Sequence, residues 1–269
     1  MTRLEWNKTG DRFFEAGVDR GVFFAANGTG IPWNGLVSVN EAPSGGEPTP
    51  YYIDGVKYLN IAELEEYGGT IEAYTYPERF ADYDGSVELH DGLSINLQER
   101  QPFGLSYRTR IGNDLEGVDY GYKIHIIYNV LVSPSTRAYS TIGGSLDPIN
   151  FSWNFTTTPV YAGNNYRRTA HVLIDSTKTS SNLIRAVEDH IYGSSTRSPK
   201  LIDLEKLIYW FESGGEPLEI LPHTTTGMAE LIQDGKRDLV TTEVEGLHTK
   251  LSDSRLTETT TPGLYTLET

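Results

Sequence analysis

Three stretches of this chain alternate with a period of two, and proline closes two of them. Thr70 to Tyr76 sets Ile71, Ala73 and Thr75 against Glu72, Tyr74 and Tyr76, and Pro77 follows. Asn150 to Thr158 sets Phe151, Trp153 and Phe155 against Ser152, Asn154 and Thr156, and Pro159 follows. Tyr122 to Val132 places Ile124, Ile126 and Tyr128 on one face and His125, Ile127 and Asn129 on the other. This is the side-chain period of a strand, and β-branched and aromatic residues suit its pleated surface. Proline removes a ladder donor, so a loop is expected from Glu78. The expected fold class is therefore mainly β, with α+β character.

Shorter segments extend the pattern. Phe13 to Val18 and Val22 to Ala26 flank Asp19-Arg20-Gly21 and read as a hairpin. Asn34-Gly35 is a turn signal, and Leu36 to Glu41 leaves it as a strand. Ala42 to Pro50 has no periodicity and reads as an exposed loop. Tyr51 to Leu59 reads as two strand fragments around Asp54-Gly55. Ile61 to Tyr67 reads as at most two helical turns, closed by Gly68. Asp82 to Glu88 reads as an acidic turn that lacks the ligand spacing of an EF-hand. Ser94 to Leu97, Leu105 to Ile111 and Thr169 to Asp175 add strands, with a loop over Asn113 to Gly121.

Beyond Asp175 the period changes to that of helices. Ser181 is the expected N-cap of a helix through Leu183, Ile184, Val187 and Ile191 that Gly193 stops. Ser198-Pro199 is the expected start of a second, through Leu201, Leu204, Ile208 and Phe211. The resulting division is a β domain over 1–222, with helices near 181–192 and 199–213, and a polar C-terminal arm over 223–269 with marginal β character.

Composition narrows the function classes. The 269 residues carry 37 Asp and Glu against 22 Lys and Arg, a net charge of -15, which repels nucleic acid and anionic membrane. There is no cysteine, so disulfides, thiolate metal sites and a cysteine nucleophile are excluded. No stretch is long enough to span a bilayer, and the N-terminus lacks a signal-peptide pattern, so no membrane association is expected. The six histidines form no His-x-x-x-His pair. His125, inside a strand, reads as a packed or lumen-facing side chain and not as a ligand. There is no Gly-x-Ser-x-Gly elbow and no Walker loop, and Gly28-Thr-Gly30 opens no helix. The expectation is a chain that is not an enzyme, with no cofactor and no metal.

The run Ile71-Glu-Ala-Tyr-Thr-Tyr-Pro77 resembles a signature of the major tail tube proteins of long-tailed, non-contractile (siphovirus-type) phages. Gly17 to Val22, Pro32 to Leu36, Phe103 to Asn113, Gly121 to Ile126 and Phe151 to Val160 resemble the same family, in order. The resemblance spans about Phe13 to Val160. It implies a tail tube β-sandwich or barrel subunit with one or two flanking helices. Such subunits form six-membered rings, and the rings stack into a tube that conducts DNA. It further implies tape measure, tail terminator and distal tail proteins as partners, and a place in the virion tail after assembly in the host cytoplasm. The long loop between early strands matches Glu41 to Tyr58, so Glu41, Pro43, Pro48, Tyr51, Tyr52 and Tyr58 are candidates for ring-to-ring contact. Tyr74 and Tyr76 are candidates for a subunit interface, and Glu72 for an anionic lumen. The alternative is a monomeric carbohydrate-binding or adhesin β-sandwich that uses its 17 Tyr and 4 Trp as a stacking platform.

Overall fold

The computed structural model describes residues 3–135, 137–139, 141, 148–164 and 166–213, with the backbone of short strands beyond them. It is mainly β, with two α-helices. The chain divides into two compact units, 1–179 with 198–201, and 180–197 with 202–269.

The first unit is built on one antiparallel sheet of eight strands. They are β1 (Phe14–Phe24), β2 (Gly30–Pro32), β3 (Leu36–Glu41), β8 (Gly68–Ala73), β11 (Phe103–Asn113), β12 (Gly117–Val132), β13 (Phe151–Thr157) and β14 (His171–Asp175). The order is β2-β1-β11-β12-β13-β8-β3, with β14 also paired to β12. The expected hairpin at Asp19-Arg20-Gly21 is instead one strand, β1, whose register on β11 shifts on either side of Asp19. Gly17 and Arg20 both take positive φ, but the extra residues are absorbed as bulges. Asp19 fixes that course by pairing with Arg108 and Arg110 on β11, at 2.7 and 3.1 Å.

β12 is the axis. One side pairs with β11 along most of its length. On the other side Lys123 to Ile127 pair with β14, whereas Val130 to Val132 pair with β13. Asn129 sits at the change of partner with φ 48°, and its side-chain amide donates to the Thr158 carbonyl. The sheet therefore forks at Asn129. Residues 124–128 of β12 are buried on both faces.

The core lies on the β8–β13 side of the fork. Ile71, Ala73, Trp153 and Phe155 point into it, together with Phe23, Trp33, Phe103 and Leu105. β8 ends at Ala73, three residues before Tyr76, because Tyr74 bonds back to the Gly35 carbonyl and Trp33 donates its indole N–H to the Thr75 carbonyl. Pro77 then precedes a 3₁₀ turn, Glu78–Asp82, where a loop was expected. That turn buries Phe80 edge-on against Phe23, Phe103 and Trp153.

Between β3 and β8 the chain makes a long excursion. β4 (Ser44–Gly45) pairs with β7 (Glu65–Glu66), and β5 (Pro48–Ile53) pairs with β6 (Val56–Ala62). The two-residue turn has Asp54 at φ 51° and Gly55 at φ 78°, the left-handed pair that a tight hairpin needs. The loop expected over Ala42 to Pro50 is thus partly strand. The helical turns expected over Ile61 to Tyr67 do not form. Leu64 is the apolar residue among three glutamates there and stays exposed, so no packing supports a helix that short. A second small hairpin joins β9 (Val87–His90) to β10 (Leu93–Ile95).

In the second unit, α1 (Ser181–Tyr192) is capped by Ser180, one residue before the expected Ser181; its Oγ accepts from Leu183 N. Gly193 closes it at φ 82°. α2 (Leu204–Ser213) starts later than Pro199 suggested. Asp203 accepts from the Glu205 and Leu207 amides, the bonding of an N-terminal cap. His190 meets Trp210 edge-on at 5.6 Å, which fastens one helix to the other. Further strands, β15 (Glu219–Pro222), β16 (Ala229–Gln233) and β17 (Lys236–Val240), form one small sheet, and β18 (Arg255–Glu258) pairs with β19 (Tyr265–Glu268).

Candidate functional site

The excursion and its root are two features of the first unit that a packed core does not explain. Every residue of β5 and β6 is exposed, on both faces. Tyr52, Val56 and Tyr58 keep 63%, 69% and 69% of their surface, and Tyr51, Ile53 and Ile61 lie beside them. An isolated two-stranded ribbon is marginal in water, and a contiguous apolar surface of this kind marks an interaction site. Pro43 and Pro48 are exposed along the same excursion.

Glu41 sits elsewhere. It ends β3, paired with Gly69 of β8, and its side chain turns to the fork in the sheet. Tyr107 donates a 2.7 Å hydrogen bond to its Oε1. His125 Nδ1 lies 3.5 Å from the same oxygen, and His171 Nε2 lies 4.0 Å from it. The two ring nitrogens are 3.2 Å apart. Strand register explains the convergence. Tyr107 is the cross-strand partner of His125, and His171 lies opposite Ile127, on the same face as His125 and one pleat along.

Rings cover the cluster. Tyr107 stacks on His125 at 4.5 Å and Tyr67 on His171 at 4.9 Å. The other nitrogen of His125, Nε2, is 3.1 Å from Thr109 Oγ1. The Tyr67 hydroxyl is buried near Glu41 and Tyr107, yet neither is in hydrogen-bonding geometry with it.

The electrostatics follow from these contacts. Hydrogen bonding to His125, then to Tyr107, and the proximity of His171 hold the Glu41 carboxyl at about 2, against the opposing effect of burial. Burial pushes His171 below its ordinary value; the His125 charge adds to this and the Glu41 charge opposes it. Burial first, and Glu41 second, raise the hydroxyls of Tyr67 and Tyr107. Near neutral pH the cluster presents a carboxylate, a neutral His171 and two neutral phenols. Glu41, His125 and His171 are side chains of the types that ligate metals, with donor atoms turned to one point.

The remaining sequence candidates separate. Tyr74 is 52% exposed just past the end of β8. Tyr76 turns inward and packs edge-on against Trp153 and Phe151, so the two tyrosines do not share a face. Glu72 is half-buried and accepts a 2.9 Å bond from Ser38 Oγ. Sequence reasoning missed the grouping of His125 and His171 with Glu41. No local spacing joins positions on three strands; the one available signal was that both histidines fall inside expected strands.

No family model matches the chain, and no curated protein matches it. Among solved structures it is similar to a chain of the anti-feeding prophage baseplate, 6-fold symmetrised, at 10% identity, covering 64% of this chain and 97% of that one, with a TM-score of 0.33. It is similar to a chain of the sheath–tube complex of an extracellular contractile injection system in the extended state, at 14% identity over 58% and 88%, TM-score 0.30. A chain of the sheath/tube terminator of such a system gives 15% identity over 64% and 99%, TM-score 0.27. Among the described residues, no helix is long and apolar enough to cross a membrane.

Proposed function

We propose that this chain is the repeating subunit of a phage tail tube, a structural protein without catalytic activity. The observation that carries the reading is the β5–β6 ribbon, which exposes tyrosine and aliphatic side chains on both faces and has no core of its own. Such a ribbon is stable when a neighbouring copy covers it. The order of tail tube-like segments along the sequence supports the same reading.

In the proposed assembly, six copies form a ring and the ribbon reaches the adjacent ring. Among the described residues, β3 and β14 each pair on one side only, with β8 and β12, so both offer a free edge to a neighbouring copy. Tyr74 packs at a subunit boundary, and Glu72 adds to an anionic lumen. A net charge of -15 keeps passing DNA from sticking to the wall. Tape measure, terminator and distal tail proteins are the proposed partners, and the virion tail the proposed location.

Sedimentation of the purified chain under native conditions tests the proposal. Concentration-dependent oligomers are expected. A stable monomer that binds glycans through Tyr51, Tyr52 and Tyr58 would instead support a carbohydrate-binding sandwich.

A further inference from the structure

We propose that Glu41, His125 and His171 bind one divalent transition-metal ion of the zinc class at the root of the excursion. The argument stands on geometry and is independent of the tail tube reading. The three donor atoms, Glu41 Oε1, His125 Nδ1 and His171 Nε2, form a triangle with sides of 3.2, 3.5 and 4.0 Å. The point equidistant from its corners lies about 2.1 Å from each, which is the length of Zn–N and Zn–O bonds. Two imidazoles and one carboxylate, with a fourth position left for water, are a familiar zinc donor set.

The surroundings meet the further requirements of such a site. A ligating histidine donates its second ring N–H to a partner, which fixes ring and tautomer. With Nδ1 on the metal, His125 Nε2–H donates to Thr109 Oγ1 at 3.1 Å. Tyr107 holds the carboxylate through its 2.7 Å hydrogen bond to Oε1. A metal-bound water would give the buried Tyr67 hydroxyl the partner it lacks. Entry is open, because the Glu41 and His171 side chains keep 34% and 19% of their surface, whereas His125 keeps 10%.

The ring geometry also favours an ion. The rings of His125 and His171 are within 13° of parallel with centroids 5.3 Å apart, so they meet edge to edge. The facing ring nitrogens and the Glu41 oxygen are three donor atoms that one ion can bridge. The ion would tie Glu41, the last residue before the excursion, to β12 and β14. It would stiffen the base of the ribbon without touching its exposed faces.

Calorimetric titration of the chelator-treated full chain with Zn²⁺ at neutral pH tests the site. One ion per chain is expected, with a rise in melting temperature that grows with free Zn²⁺. Ca²⁺ and Mg²⁺, which prefer all-oxygen shells, are expected not to compete. His171→Ala should weaken Zn²⁺ binding at least a hundredfold and Glu41→Gln at least tenfold, with far-UV circular dichroism unchanged. If His171→Ala does not fold, the Glu41→Gln result decides. Absence of saturable binding, or equal affinity in the wild-type chain and Glu41→Gln, would overturn the proposal and leave the cluster as a proton-sharing hydrogen-bond network.

Discussion

Tyr107 Oη donates to Glu41 Oε1 at 2.7 Å, across 66 residues of sequence. This bond ties β11 to the end of β3, the strand from which the exposed ribbon departs. Tyr107→Phe keeps the ring on His125 and removes the donor. A hydrogen bond to a charged group contributes about 1.5–3 kcal/mol. Because Glu41 is partly open to water and can rehydrate, a loss near the lower bound, about 1.5 kcal/mol, is expected in urea unfolding.

Acid should destabilise the first unit in two stages. His171 is held below its ordinary 6.5 in the folded state, so the unfolded chain takes up the proton first. Stability from that group is complete above 6.5 and falls as pH drops below it. Glu41 is held at about 2 against an ordinary 4.5, so its contribution is complete above 4.5 and is lost as pH falls towards 2. Melting curves at pH 7.5, 5.5 and 3.5 should show a progressive decline. Glu41→Gln should flatten the lower stage, and His171→Gln the upper one.

How much of this was legible in the sequence depends on the range of the interaction. Trp153 and Phe155 were readable as core because their own alternation places them there, and α1 was readable from its apolar stripe and Gly193. The hairpin turn at Asp54-Gly55 was readable because left-handed backbone favours those residue types. Asp19-Arg20-Gly21 carries the same local grammar, yet β1 runs straight through it. There a salt bridge from Asp19 to Arg108, 89 residues away, decides the course. The helical turns expected at Ile61 to Tyr67 failed because pairing with the neighbouring strands β4 and β5 outweighed weak helical propensity. The Glu41–His125–His171 cluster was invisible because its members meet through the register of β3, β12 and β14.

Asp19→Ala tests the long-range claim for β1. Arg108 is 10% exposed at its side chain and makes two hydrogen bonds to Asp19, at 2.7 and 2.8 Å. It also stacks over Tyr122 at 4.6 Å, which the substitution leaves in place. Loss of the charged pair should cost about 1.5–3 kcal/mol in chemical denaturation. Amide hydrogen exchange should quicken in β1 near its bulges more than in β13.

Tyr74→Ala separates assembly from folding. The side chain is 52% exposed, so the subunit's own stability should shift by less than about 0.5 kcal/mol. If Tyr74 is an anchor at a subunit boundary, its loss should cost association about 2 kcal/mol, or about thirtyfold in the concentration needed to assemble. Light scattering against concentration reads this. Glu72→Lys loses the Ser38 hydrogen bond, at a cost of about 1 kcal/mol in subunit stability, but should leave association nearly unchanged and slow DNA passage in assembled tails.

Replacing Pro48 to Ala62 by a short Gly-Ser turn removes the ribbon while leaving the eight-stranded sheet untouched. Subunit stability should change by less than about 1 kcal/mol, because a solvent-exposed two-stranded ribbon adds little to folding. Electron microscopy of that variant should show no stacked tubes, and tubes of normal length would remove the ribbon from the ring-to-ring contact.

Negative-stain electron microscopy of the purified wild-type chain tests the central claim most directly. The account predicts six-membered rings about a central channel, stacked into tubes at higher concentration. Uniform single particles of one subunit, at every concentration up to about a thousand times a micromolar dissociation constant, would contradict it.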